Sequence, residues 1–169
     1  MNLMTIREEA RVRGLRPVHV FVASMLAEFR ENGVLNFGIL RAATEKTGAK
    51  IAEMLDEDTP RNLEGAVKFL AEALEVSKDF DVEKNGSILR LRVKSKLCRF
   101  CPKGVGGLEL PGPLCPFPGL FKGFLEHSAG LKLAYPENFM YRDRDGYCNF
   151  LLEVIGTGSD ASMKMFQRV

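Results

Sequence analysis

Phe80-Asp81-Val82-Glu83-Lys84-Asn85-Gly86-Ser87-Ile88-Leu89-Arg90-Leu91-Arg92-Val93-Lys94 decides the fold. Apolar residues alternate on both sides of Asn85-Gly86, and this dipeptide suits the positive backbone angles of a two-residue hairpin turn. A β-hairpin is therefore predicted. Leu89, Leu91, Val93 and Leu97 fall on one side of its second strand, and Arg90, Arg92, Lys94 and Lys96 on the other. Such a pattern gives a sheet covered on one face and wet on the other.

Upstream of the hairpin the apolar period lengthens from 2 to about 3.6. Pro17 opens a segment in which Phe21, Val22, Met25, Leu26 and Phe29 recur at helical spacing, until Asn32-Gly33 stops it. Leu40, Ala43, Thr47, Ile51, Met54 and Leu55 form the apolar face of a second helix that ends before Pro60. A third is expected from Asn62, its cap, to Ser77, with Leu63, Val67, Leu70, Ala73 and Leu74 inward.

Downstream, Cys98 to Pro118 is dense in Gly, Pro and Cys and reads as one long loop. Loops of this length in a compact domain are usually functional or disordered. Phe117 to Ser128 reads as a fourth helix, with Leu120, Phe121, Phe124 and Leu125 apolar. Two strands then alternate at Leu131, Leu133, Tyr135 and at Cys148, Phe150, Leu152, Val154, with the charged turn Arg142–Gly146 placed between them. The expected class is α+β: N-terminal helices on one face of an antiparallel sheet, with a further helix between the two hairpins. The organisation expected is a leading segment over 1–16, one domain over 17–156, and a loosely structured tail over 157–169.

Composition narrows the functional classes. With 169 residues, 46% hydrophobic and 27% charged, the chain has the size and balance of one globular domain. The 24 Lys and Arg nearly cancel the 22 Asp and Glu and are mixed along the chain, so no nucleic-acid partner is announced. No apolar run reaches the roughly 20 residues of a membrane span, and Met1 to Arg16 is too charged for a signal peptide. A cytoplasmic location is expected.

Four cysteines in such a chain should be reduced thiols. Cys98-x-x-Cys101 is a chelating pair, and Cys115 and Cys148 add single ligands at the start of a helix and of a strand. Four thiolates complete a tetrahedral set, so a structural zinc ion held by Cys98, Cys101, Cys115 and Cys148 is expected. Ordinary burial of small, apolar cysteines is the plain alternative. The repeated pairs of ferredoxins are missing, which places an iron–sulfur cluster second. A redox Cys-x-x-Cys would open a helix, whereas this pair ends a strand. No catalytic residues are assigned. His127 stands about 18 Å along the helix from Cys115, too far to act as its base, and His19 reads as a surface or core residue.

Three segments carry a family resemblance. Cys115-Pro116-Phe117-Pro118-Gly119-Leu120-Phe121-Lys122-Gly123, the run from Glu137 through Met140 to Cys148, and Leu40 to Leu55 with Gly48 inside it resemble the 4-vinyl-reductase domains. These are also described as hydrocarbon-binding domains, related in fold to TRAPP trafficking subunits and haem-NO-binding sensors. Met140 stands where that family usually has a cysteine, so the four-cysteine site rests on local spacing alone. The resemblance implies a homodimer through the N-terminal helices and an apolar cavity for a hydrophobic or tetrapyrrole-like ligand. A small-molecule-binding or sensing module is thus expected before an enzyme or accessory of tetrapyrrole vinyl reduction, or a TRAPP-like structural adaptor. No acid–base pair or nucleotide fingerprint supports a reductase reading.

Overall fold

The computed structural model describes residues 5–158. Helices α1 (Ile6–Arg13), α2 (Pro17–Glu31), α3 (Phe37–Leu55) and α4 (Leu63–Ala73) precede strands β1 (Phe80–Asn85) and β2 (Ile88–Lys94). Helix α5 (Phe117–Ser128) and strands β3 (Leu131–Ala134), β4 (Met140–Arg142) and β5 (Tyr147–Thr157) follow. The fold is α+β, with an antiparallel sheet. None of the helices among the described residues is long and apolar enough to cross a membrane.

Sequence signals account for most boundaries. Pro17 occupies the first turn of α2, where its missing N–H costs nothing. Asn36 and Asn62 cap α3 and α4 by accepting from the amides of Ile39 (2.9 Å) and Gly65 (2.7 Å). Gly86 takes the left-handed conformation in the β1–β2 turn. Helix α4 stops at Ala73, short of the expected Ser77, because Glu75 turns into the left-handed region.

The sheet order is β1-β2-β5-β3, and β4 also pairs with β5. Strand β5 meets β2 along one edge, and β4 and β3 in succession along the other. The charged turn over 143–146 therefore joins β4 to β5, not β3 to β5 as the alternation suggested. Three residues make β4 too short to announce itself by period. Strand β2 ends at Lys94, so Leu97 lies in the following turn and not on the strand face.

Helix α4 packs beside β1, α5 lies across β3 and β5, and α3 packs along α5. The core joins Phe121, Phe124 and Leu125 of α5 to Leu89 and Leu91 of β2 and Phe150 of β5, all fully buried. Each such side chain contributes roughly 1.5–3 kcal/mol relative to exposure. Three glycines bring α3 and α5 together. Gly48 meets the backbone at Leu120 and Phe124, Gly119 meets Arg41 and Thr44, and Gly123 meets Glu45. A methyl group at any of them would run into main chain.

Helices α1 and α2 rest largely on the long loop. Leu26 and Ala27 of α2 form a second cluster with Leu40, Leu108 and Leu114. Val105 is buried as well, so the loop between Pro102 and Leu114 buries more apolar surface than its composition suggested. Most of the expected tail over 157–169 lies outside the described residues; Thr157 itself ends β5.

Candidate functional site

The end of β2, the turn after it, the loop before α5, and β4 and β5 surround a cavity of about 310 Å³. Strand register builds its floor. Val93 faces Cys148 across β2 and β5, Arg142 faces Cys148 across β4 and β5, and Met140 faces Phe150. A spacing of two puts Cys148 and Phe150 on one face of β5. Phe117, at the start of α5, adds an aromatic wall and stacks with Phe150 at 6.3 Å.

The turn after β2 supplies Ser95, Cys98, Phe100 and Cys101. It is tied on both sides. The amides of Leu97 and Cys98 donate to the Lys94 carbonyl (2.9 and 3.0 Å), and those of Val105 and Gly106 donate to the Cys101 carbonyl (2.8 and 3.3 Å). Buried Arg13, reaching in from α1, donates from Nη1 to the carbonyls of Ser95 (2.9 Å) and Cys98 (2.6 Å). Arg99 donates from Nε to the Arg13 carbonyl (2.9 Å), and its Nη1 reaches Glu75 Oε2 at 3.2 Å. His19 is fully buried beside Phe100, edge-to-face at 4.9 Å, and its Nδ1 accepts from the Arg16 amide (2.8 Å).

All four cysteines line this cavity and all are free thiols. Burial, then the neighbouring Cys101, pushes the Cys98 thiol up to about 12. Burial, then Cys98, holds Cys115 well above the ordinary thiol range. Cys148 is raised by burial and then by Cys101. Protonated thiols are poor nucleophiles.

The zinc expectation is corrected by the geometry. Among the described residues no three Cys, His, Asp or Glu side chains form a group that could hold a metal ion. Spacing brought the four residues to one cavity, but a tetrahedral site requires sulfurs closing on one point about 2.3 Å away, and no three of them form such a group. Cys101 lines the cavity with its Sγ accepting from the Gly104 amide at 3.3 Å. The residues do not fit a zinc centre, and the loop's anchorage comes from Arg13 and the α2 cluster instead.

The model of the MJ0207 family matches residues 33–154, most of the chain, and this span contains the whole cavity. The chain belongs to the MJ0207 family. It is 28% identical over 114 residues to "Uncharacterized protein MJ1342" of Methanocaldococcus jannaschii, covering 63% of this chain and 95% of that protein. It is 35% identical over 57 residues to "Uncharacterized protein MJ0207" of the same organism, covering 34% of this chain and 38% of that protein. The resemblance to 4-vinyl-reductase domains is corrected by this membership, since neither the family nor these relatives supports it. Its short motifs have a packing explanation here: Gly48, Gly119 and Gly123 are the residues that let α3 and α5 touch.

Sequence reasoning also missed a polar cluster beside that helix pair. Tyr135 Oη donates to Glu45 Oε1 (2.6 Å), Lys122 Nζ reaches Glu45 (3.3 Å) and Glu126 (2.9 Å), and the Arg41 guanidinium lies 4.5 Å from the Tyr135 ring centroid. Burial, then the bond to Glu45, raises the Tyr135 hydroxyl pKa. Glu45 and Tyr135 are far apart in the chain, so no local pattern pairs them.

Proposed function

We propose that the chain is a small-molecule-binding module whose ligand sits in the cavity between β2, β4, β5 and the loop before α5. One observation carries the reading: a cavity of about 310 Å³ walled mainly by apolar side chains, with a few polar groups around it, within the size range of small-ligand sites. Upward-shifted Cys98, Cys115 and Cys148 favour binding over thiol chemistry. Reduced, buried thiols also suit a cytoplasmic setting.

Self-association through α2 belongs to the same reading. Val18, Phe21 and Phe29 are exposed on the helix side away from buried Ala23 and Ala27, and Phe21 keeps 66% of its surface in water. An apolar stripe of this kind is covered in a two-fold homodimer. After α2, Val34 is also exposed, whereas Leu35 packs against the α2 cluster and Phe37 stacks on Phe139, so neither of these two is free to serve.

Native mass spectrometry of freshly purified protein tests both points. The expected spectrum shows a dimer with retained small-molecule mass, and Met140→Trp, which fills the cavity from β4, loses that mass. Absence of retained ligand, together with no methyl shifts at Met140 on titrating apolar fragments, would sink the binding reading. A monomer at micromolar concentration would sink the dimer.

A further inference from the structure

The charges around the cavity are all of one sign. Lys103 and Arg142 are its charged lining residues, and no carboxylate lines it. Neither cation is in an ion pair among the described residues, whereas Arg13, Arg16, Arg90, Arg92 and Arg99 each have an acidic partner. Asp143, next in sequence to Arg142, is engaged elsewhere: it accepts from Asn149 Nδ2 (3.0 Å) and the Tyr147 amide (2.9 Å), and faces Arg92 at 3.6 Å. Arg142 is steered by one neutral contact, Nη2 donating to Ser95 Oγ at 2.5 Å. Both cations belong to exposed residues, while Val93, Leu114, Phe117 and Phe150 behind them are buried.

From this separation of apolar wall and cationic rim we infer that the cavity takes a medium-chain carboxylate. The apolar body would lie against Val93, Leu114, Phe117 and Phe150, and the carboxylate would meet Arg142 and Lys103. The inference rests on the ligand-binding reading of the same cavity and adds the chemical class. A guanidinium presents two parallel donors to the two carboxylate oxygens, and an ammonium adds a point charge. Size bounds the chain length: about 310 Å³ holds roughly ten heavy atoms at about 30 Å³ each, the share of a water molecule in the liquid, which matches the ten carbons of decanoate with its two oxygens outside at the cationic rim. A ligand lacking the anionic head would leave both cations without a partner.

Titration calorimetry with decanoate, decan-1-ol and decylamine, under reducing conditions at neutral pH, tests the assignment. Decanoate is expected to bind at least roughly tenfold more tightly than decanol, with decylamine weakest. The double variant Lys103→Gln/Arg142→Gln should bring decanoate down to the affinity of decanol and leave decanol unchanged. Arg142→Lys, which keeps the charge and loses the fork, should fall between. Raising salt from about 50 to about 500 mM should weaken decanoate alone. Both residues are exposed, so the variants should melt with the unsubstituted protein. Decanol matching decanoate, or a double variant that binds decanoate undiminished, would overturn the carboxylate assignment and leave the binding reading standing. Binding of none of the three probes would overturn both.

Discussion

Two contacts made by the α-helices differ in how much main chain they bring together. Between α3 and α5, glycines on both helices put main chain against main chain, leaving no room for another carbon atom. Between α2 and the loop before α5, main chain meets main chain at one point, Gly106 against the Ala23 carbonyl, and the rest of the contact is made by side chains, Leu26 and Ala27 against Leu108 and Leu114; the same loop walls a cavity. The first contact fixes a geometry. The second, away from Gly106, consists of side chains, which can repack where main chain cannot.

The largest effect should come from breaking the first contact. Gly123→Ala aims a methyl group at the Glu45 carbonyl, which belongs to a helix and cannot rotate away. A loss of about 3 kcal/mol or more is expected in urea denaturation, at or beyond the usual upper range for overpacking. A loss under about 1 kcal/mol would show that α3 and α5 can separate after all.

Leu26→Ala acts on the second contact and should cost about 2–4 kcal/mol, the range for a buried leucine. Its location is the sharper readout. Hydrogen exchange should speed up in α2 and the loop from Pro102 to Leu114 and stay slow in α3 and α5. Uniform loss of protection would make the two regions one cooperative unit and erase the contrast.

Tyr135→Phe removes the bond to Glu45 that fastens β3's end to α3. A hydrogen bond to a charged acceptor of this kind is worth about 1.5–3 kcal/mol, and the lower figure is expected because Lys122 still pairs with Glu45. Double-mutant cycles with Glu45→Gln check it: no coupling would show that the bond contributes nothing.

The smallest effect is a pH dependence confined to the adaptable side. Burial, then Arg99, lowers the His19 pKa, while Glu75 opposes and Arg16 adds to the shift. Neutral His19 accepts the Arg16 amide at Nδ1, and protonation would set a donor against that donor. A folded value below the unfolded one means that this stabilisation is complete above the unfolded value, about 6.5, and is lost as pH falls through the folded value. Urea midpoints at pH 7 and pH 5 should therefore differ more for the unsubstituted chain than for His19→Gln. Equal differences would remove His19 from the account.

These contrasts also explain what the sequence discloses. Period and punctuation place α2, α5 and the turn of the first hairpin within a residue or two, because Pro17, Asn85-Gly86 and the apolar faces act locally, while the second strand ends three residues before Leu97. Helix α1 was missed, since 1–16 reads only as a leading segment, although Thr5 and Glu8 make a reciprocal capping box, the signature that marks a helix start. Strand β4 was not legible, since it exists only by pairing with β5. Val105, Leu108 and Leu114 have no periodic spacing, so their burial depends on α2 arriving from elsewhere. For the candidate site, cysteine spacing pointed to shared surroundings but carried no information about the directions of four Cα–Cβ bonds. Lys103 and Arg142 were unremarked as a pair because they meet only through the fold.

Strand β5 comes last in chain order among the five strands, yet it lies inside the sheet, bonded to β2 on one edge and to β3 and β4 on the other. During synthesis the β1–β2 hairpin can close at once, while β2's second edge waits for everything through Thr157 to emerge. That edge is a row of unpaired amides and carbonyls, open to wrong partners during the wait. Pairing across so long a stretch of chain is slow, so insertion of β5 is the expected late step of folding. The cavity floor, Cys148 and Phe150, arrives with that same strand, and the nascent chain has no such cavity until its sheet is complete.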